Sequence, residues 1–347
     1  MIITGVSGGS GGGDAYAYIK IFVQGATTVC AFIGDKCYGA SKVNDGIAII
    51  PVNKKGTYTV KAYVESQDGT YNQELVRTTT ATITDSKTVV TAAIDGTYGD
   101  YGNLSFSSTT DAQFAAIVSA LDAEKISIND LPWAVGDMRT VHLSSMPATG
   151  VGETHEEEDV TFVIQNVGGV TFTSGKQCHY VVGLLNTLNA GGYMNSSNTN
   201  SGSWKSSARR TWCNSVFRNA IPSTIRDCFK QFKCVTATEY SASTTTTTDD
   251  YFALPAAKEV FGGTATSAGS ETGYSNLTEF NALTQFEWYK TSANRIKKLG
   301  NSSSASWWWE RSPDYGYSNA FCGVNADGTA YDSTASTAYG LAPFGCI

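Results

Sequence analysis

Apolar and polar residues alternate with a period of two along most of residues 14–98. Residues 15–23 are β-branched and aromatic. Residues 47–52 run into the turn signal Asn53-Lys54-Lys55-Gly56, and residues 57–64 alternate strictly. Such runs place apolar side chains on one face of a strand. Gln67-Asp68-Gly69-Thr70 marks another turn, and residues 78–84 and 87–94 read as two further strands. Short strands with no helix between them predict a small antiparallel β-sandwich.

The rhythm changes after the Gly/Tyr-rich stretch Gly96-Thr97-Tyr98-Gly99-Asp100-Tyr101-Gly102, which reads as a domain boundary. Thr109-Thr110-Asp111 is a cap signal, and Phe114, Ile117, Val118 and Leu121 then recur at helical spacing. A second helix is expected over 206–219, with Ala208, Trp212, Val216 and Phe217 on one face and Pro222 beyond its end. Ser223 opens a third, carrying Ile225, Phe229 and Phe232. Strands are expected at 160–164, 170–172, 180–182 and along the C-terminal run, with the threonine run 244–248 as a low-complexity loop. The fold class is therefore α+β, an all-β domain over 14–98 followed by a mixed domain over 105–347.

At 347 residues the chain has room for about two domains, each with its own core. A net charge of −7 without a basic stripe argues against a nucleic-acid partner. No segment approaches the ~18 apolar residues of a membrane-spanning helix, so no membrane insertion is expected. The start of the chain lacks the basic and apolar regions of a secretory signal. Residues 5–13, Gly-Val-Ser-Gly-Gly-Ser-Gly-Gly-Gly, would need a following helix to cradle phosphate. A strand pattern follows, so residues 1–13 read as a flexible arm. The eight cysteines, at 30, 37, 178, 213, 228, 234, 322 and 346, form no CxxC pair, and there are three histidines. That speaks against zinc and for reduced, packed thiols, and no cofactor is expected.

Chemistry-bearing residues are few. Glu153-Thr154-His155-Glu156-Glu157-Glu158-Asp159 offers carboxylates to a cation such as Ca²⁺, but without EF-hand spacing it reads as a solvated acidic loop. His142, His155 and His179 are scattered, and no Ser/His/Asp constellation is legible. Trp307-Trp308-Trp309 is either a carbohydrate-stacking platform or a run alternating into and out of a core.

Residues 312–347 are the most unusual stretch. Asn, Asp, Tyr, Ser, Thr, Gly and Ala fill most of it, and Lys, Glu, Gln, Met and Trp are absent. An Asn codon altered only at its two adenines yields those residues and never Lys, Glu, Gln, Met, Trp or a stop. Tyr with small polar residues is also the composition of recombined binding loops. A fixed aromatic frame, Trp307 to Arg311, thus abuts a run that looks diversified, over about 309–340. The expected ligand-binding residues are Asp314, Tyr315, Tyr317, Ser318, Asn319, Asn325, Asp327, Thr329, Tyr331, Asp332, Thr334, Thr337 and Tyr339. They are expected to be mostly exposed on one face, with Phe321, Val324, Ala330, Leu341 and Phe344 buried beneath them.

Several motifs carry a resemblance. In order they are Trp133-Ala134-Val135-Gly136-Asp137, Thr161-Phe162-Val163-Ile164, Tyr193-Met194-Asn195-Ser196, Gly202-Ser203-Trp204-Lys205, Arg209-Arg210-Thr211-Trp212, Tyr251-Phe252-Ala253-Leu254-Pro255, Thr291-Ser292-Ala293-Asn294-Arg295, Trp308-Trp309-Glu310-Arg311-Ser312-Pro313 and Gly340-Leu341-Ala342-Pro343-Phe344. Residues 106–347 resemble a domain family common in gut phages, prophages and Firmicutes. Its members are similar to the C-type-lectin-like fold shared with formylglycine-generating enzymes, and many look like the variable proteins of diversity-generating retroelements. Residues 14–98 resemble the immunoglobulin-like or carboxypeptidase-regulatory-like sandwiches appended to phage and bacterial surface proteins.

The resemblance implies a non-enzymatic receptor-binding protein of a phage tail, carried on the virion and made in the bacterial cytoplasm. It would be a homotrimer, attached to other tail proteins through its N-terminal region and directed at a bacterial surface protein or glycan receptor. It further implies that the terminal strands pair centrally and the chain end is buried. Two alternatives are a bacterial cell-surface protein with the same diversified fold and a formylglycine-generating-type oxidase using Cys322 and Cys346.

Overall fold

The computed structural model describes residues 16–23, 26–63, 76–94, 104–263, 277–300 and 302–347. The Gly-rich arm, the turn at 67–70 and the boundary stretch 96–102 lie outside the described residues. The chain is α+β and divides into two compact units, Met1–Ser105 with Thr109–Pro132, and Phe106–Ser108 with Trp133–Ile347.

Among the described residues, the first unit holds seven strands: β1 (Ala17–Val23), β2 (Thr28–Ile33), β3 (Lys36–Lys42), β4 (Ile47–Val52), β5 (Gly56–Tyr63), β6 (Arg77–Ile83) and β7 (Val89–Ile94). They form a three-stranded sheet in the order β4-β1-β7 and a four-stranded sheet in the order β3-β2-β5-β6. Ile19, Ile21, Ile50 and Val52 from the first sheet and Val29, Ala31, Tyr58 and Val60 from the second share one core. The alternation that predicts β1, β4 and β5 is the alternation of core and solvent faces.

Two features depart from expectation. The sequence signals miss β2 and β3, a hairpin turned at Gly34, whose φ of +57° suits glycine. And β1 pairs with β7 in parallel, Ile19 opposite Val90, so this sheet is mixed rather than antiparallel. Helix α1 (Asp111–Asp122) begins at Thr110, whose Oγ1 accepts the Gln113 N–H while Gln113 returns the bond to the Thr110 N–H. The contacts group α1 with the first unit, whereas the sequence boundary assigns it to the second.

The second unit is built on a five-stranded antiparallel sheet. Its strands are β8 (Met138–Leu143), β9 (Glu158–Val167), β10 (Tyr180–Leu184), β13 (Phe252–Ala253) and β19 (Phe344–Cys346), in the order β13-β19-β10-β9-β8. The C-terminal strand β19 therefore lies inside the sheet, between β10 and β13, and Ile347 is buried. Gly345 occupies a tight place in it. A Cβ there would come within 2.6 Å of the Phe229 ring and 2.8 Å of the Phe252 ring. Around it the rings of Phe162, Phe217, Phe229 and Phe252 pack at centroid distances of 4.6–5.9 Å.

Two hairpins and a meander complete the unit: β11 (Phe232–Ala237) with β12 (Thr245–Asp250), β14 (Lys297–Lys298) with β15 (Ala305–Ser306), and β16 (Trp308–Pro313), β17 (Ala320–Val324) and β18 (Ala330–Thr334) in that order. The threonine run at 244–248, expected as a loop, lies almost wholly in β12. Threonine is β-branched and favours the pleated conformation, and Thr236, Cys234 and Phe232 pair across from Thr246, Thr248 and Asp250.

The helix expected over 206–219 is broken into short pieces, Ser203–Ser206, Ala208–Trp212, a π-helical turn Cys213–Phe217, and Arg218–Ala220. The third expected helix is only Ser223–Arg226, because Phe232 already starts β11.

The recurrent motif residues hold this framework together. Asp250 is fully buried and accepts from Trp204 Nε1 at 2.9 Å, Thr248 Oγ1 at 2.7 Å, Asn214 Nδ2 at 3.0 Å and Arg210 Nε at 2.6 Å. Arg209 donates to the carbonyls of Val151 and Tyr193 and lies over the Trp212 ring. The acidic stretch is less solvated than its composition predicts. His155 is buried beside Trp212, and burial with the neighbouring Arg209 charge pushes its pKa down to about 4. Glu158, also buried, accepts the Asn189 N–H at 2.9 Å. His142 is exposed and bonds Asp159 at 2.8 Å, and His179 lies edge-on to Phe172.

Candidate functional site

The tryptophan run alternates into two environments. Trp308 is fully buried, donates to the Arg295 carbonyl at 2.9 Å, packs with Tyr289 and lies under the Lys297 ammonium, which is 5.2 Å from the ring centroid. Trp309, on the other side of β16, is also fully buried and donates to the Gly192 carbonyl at 2.9 Å. Trp307 is half-buried. Its ring stands edge-on to Tyr331 (centroids 4.7 Å, planes at 80°) and 5.3 Å from Tyr339, which in turn lies 4.9 Å from Trp309. Frame and cassette thus share one aromatic cluster.

Behind β16, Arg311 and Glu259 form a buried ion pair. Arg311 Nη1 donates to Glu259 Oε2 at 2.5 Å and Nη2 to Oε1 at 2.9 Å, and Nη1 also donates to the Leu254 carbonyl. Glu259 Oε2 accepts the Ala256 N–H, tying the same carboxylate to the start of the helix Ala257–Phe261.

The cassette meets this framework through β17. Ala320, Phe321, Cys322 and Val324 are buried. β18 pairs on its outer side, Gly323 opposite Tyr331 and Cys322 opposite Asp332, and forms the edge of the sheet. Every residue of β18 keeps some exposure.

Residues 314–319 connect β16 to β17. Asn200, fully buried, clamps this loop by donating from its backbone to the Ser318 carbonyl and from Nδ2 to the carbonyls of Tyr317 and Ala320. Ser241 holds the Tyr315 carbonyl through both its N–H and its Oγ. After β18, Ser336 donates to Asn198 Oδ1 at 2.5 Å, and Ala335 N–H donates to the Asn319 carbonyl. At the other end of β17 the turn at 325–329 is closed by Asn325 and Thr329. Gly328 there has φ +85°, where a Cβ would also meet Ile296 at 3.0 Å.

The expected binding residues therefore fall in two groups. Tyr315, Tyr317, Ser318, Asn319, Thr334 and Thr337 gather at one end of the hairpin. Asn325, Asp327 and Thr329 lie at the other, about 14 Å away by the rise of a strand. Tyr331 and Tyr339, with their aromatic neighbours, lie between. Tyr315, Tyr317, Ser318, Asp327, Thr329 and Tyr331 are exposed, while Asn319, Asn325, Asp332, Thr334, Thr337 and Tyr339 are half-buried.

Asp314 corrects the expectation. It is 1% exposed, because its Oδ1 accepts the N–H groups of Gly316 and Tyr317 at 2.7 and 2.8 Å and so folds inward as the staple of its own turn. Burial raises its pKa above the usual carboxylate range. Burial raises that of Asp332 too, and the charge of Asp314 adds to it. Phe321, Val324, Leu341 and Phe344 are buried, but Ala330 is half-buried because it sits on the edge strand. Asp327 is held below its usual range by the hydroxyl and N–H of Thr329.

Sequence reasoning missed three contributors: Ser333 beside Thr337, and the Asn198 and Asn200 supports. Ser333 was legible in principle, since it shares a face with Tyr331 two residues away. Asn198 and Asn200 were not, being more than a hundred residues distant in sequence.

Cys322 and Cys346 lie in different sheets. Cys322 Sγ contacts the Pro313 carbonyl. Among the described residues, no group of three or more His, Cys, Asp or Glu side chains is placed to hold a metal ion, and no helix is long and apolar enough to cross a membrane.

A family model described as a domain of unknown function (DUF6273) matches residues 180–347, from the start of β10 to the buried C-terminal strand. No curated protein and no solved structure matches the chain.

Proposed function

We propose that the chain is a receptor-binding protein of a phage or prophage tail, whose C-terminal unit displays a face rewritten by a diversity-generating retroelement. In this reading the first unit is an immunoglobulin-like sandwich that spaces the protein from, or attaches it to, other tail proteins. The second is a C-type-lectin-like domain, and trimerisation on the virion multiplies weak contacts into avidity.

One observation carries the reading. Within a single hairpin, residue types that adenine-directed change can generate fill the solvent-facing positions, and the buried positions hold Phe321, Cys322 and Val324. Phe, Cys and Trp codons contain no adenine, so that process would leave most of the apolar frame intact while the face changes. Recognition would rest on shape and hydrogen bonding, with no covalent step.

The test is adsorption of the purified full chain to host cells. Changing Tyr315, Tyr317 and Tyr331 together to Ala is expected to weaken adsorption by about 100-fold, as loss of clustered aromatic hot spots does. These rings are 39%, 58% and 39% exposed, so the melting temperature should move by no more than about 4 °C. Tyr339 is kept, because it packs on Trp309. A triple variant that adsorbs like the parent would overturn the assignment of the face.

A further inference from the structure

Trp307 and Tyr331 meet at close to a right angle, and this corner sits where the fixed frame and the changing cassette join. We propose that the corner is a subsite for an uncharged pyranose ring, with Trp307 as its constant wall and Tyr331 as its adjustable one. The inference rests on the receptor-binding reading above and assigns the ligand class to its face.

The geometry gives the reasons. A pyranose is amphipathic: one face is a patch of C–H bonds, and its rim carries hydroxyls. The C–H patch pairs with the electron-rich face of an aromatic ring, indole above all. Two rings at 80° present one face to the sugar and one edge to its flank, fixing its orientation as a single flat ring would not.

The rim of the corner is rich in hydroxyls. Tyr339 lies against Trp307, and nearby Ser333 Oγ donates to Thr337 Oγ1 at 3.2 Å. Thr337 Oγ1 also lies 2.9 Å from Thr334 Oγ1. Hydroxyls that donate and accept interchangeably suit a ring of sugar hydroxyls.

Residues 312–347 contain no Lys or Arg, so an acidic sugar would find no counter-charge there. That absence favours a neutral sugar. A Trp codon contains no adenine, whereas Tyr codons contain one. Diversification would then keep Trp307 in every variant while opening or narrowing the corner at residues 331 and 339.

The experiment is ligand-observed saturation-transfer NMR on the full chain. The probes are the methyl pyranosides of glucose, galactose and mannose, with N-acetylglucosamine and sodium glucuronate alongside. At least one neutral sugar should receive saturation, strongest at the ring protons of one face, and glucuronate should receive none. Trp307→Ala should weaken that sugar about tenfold or more, a loss of ~1.4 kcal/mol. Trp307→Phe, which keeps an aromatic wall, should hold it within about threefold.

Saturation of none of the neutral sugars, or equal saturation in Trp307→Ala and the parent, would overturn the inference. So would a preference for glucuronate. The same variants are assayed for adsorption to cells. Normal adsorption without sugar binding would overturn the sugar subsite and leave the receptor-binding reading standing. Slowed amide hydrogen exchange along β18 on adding an extended peptide, with no sugar signal, would assign the face to a protein ligand instead and so also overturn it.

Discussion

Glu259→Ala is expected to destabilise the C-terminal unit by about 3–5 kcal/mol. The two side chains of the Arg311–Glu259 pair are 1% and 4% exposed, and both carboxylate oxygens are used. Removing Glu259 leaves a guanidinium in the interior without its counter-charge, and burying an unpaired charge costs far more than a surface pair contributes. It also removes the acceptor of the Ala256 N–H. The double change Arg311→Met with Glu259→Met should recover most of the loss, since an apolar pair of similar volume is often neutral or better. All seven tryptophans lie at or beyond Trp133, so tryptophan fluorescence during urea unfolding reads the second unit selectively. A single-variant loss below about 1 kcal/mol would mean that the pair is solvated and behaves as a surface ion pair.

Phe321→Ala should cost the same unit about 3–5 kcal/mol, the cost of truncating a large buried side chain and leaving a cavity. Phe321 is fully buried in the middle strand of the meander, opposite Ser333 on β18 and Pro313 on β16. Its loss should loosen the whole hairpin, so binding should fall only in proportion to unfolding. The tyrosine variant should behave in the opposite way, losing binding while its unfolding midpoint holds. If Phe321→Ala unfolds at the parent's urea concentration, β17 does not anchor the face.

Much of the framework was legible because its signals are local. Alternation marked β1, β4, β5, β6 and β7, and the Thr110 cap with its i, i+3, i+4 apolar series marked α1. What escaped depends on partners far away in sequence. Parallel pairing of β1 with β7 has no local signature. Strand β12 was hidden because a threonine run resembles low-complexity sequence until Asp250 and the facing β11 give it a role.

At the site, composition separated the exposed tyrosines from Phe321 and Val324. Composition cannot separate a ligand-facing Asp from one that closes its own turn, which is why Asp314 was misplaced. Nor does it show that Trp307 differs from its two neighbours. Tyr339 packs on both Trp307 and Trp309, but only Trp309 is fully buried, with its indole N–H bonded to the Gly192 carbonyl.

The most direct test of the central claim is to sequence the DNA flanking this coding region, and the region itself across a population of close relatives. The account predicts a nearby near-identical copy of the segment encoding about 309–340, differing from it only where that copy has adenines. The differing codons should include those of Tyr315, Tyr317, Tyr331 and Tyr339, and those of Trp309 and Phe321 should never differ. A region with no such copy, or one whose variation falls on the buried frame as often as on the exposed face, would contradict it.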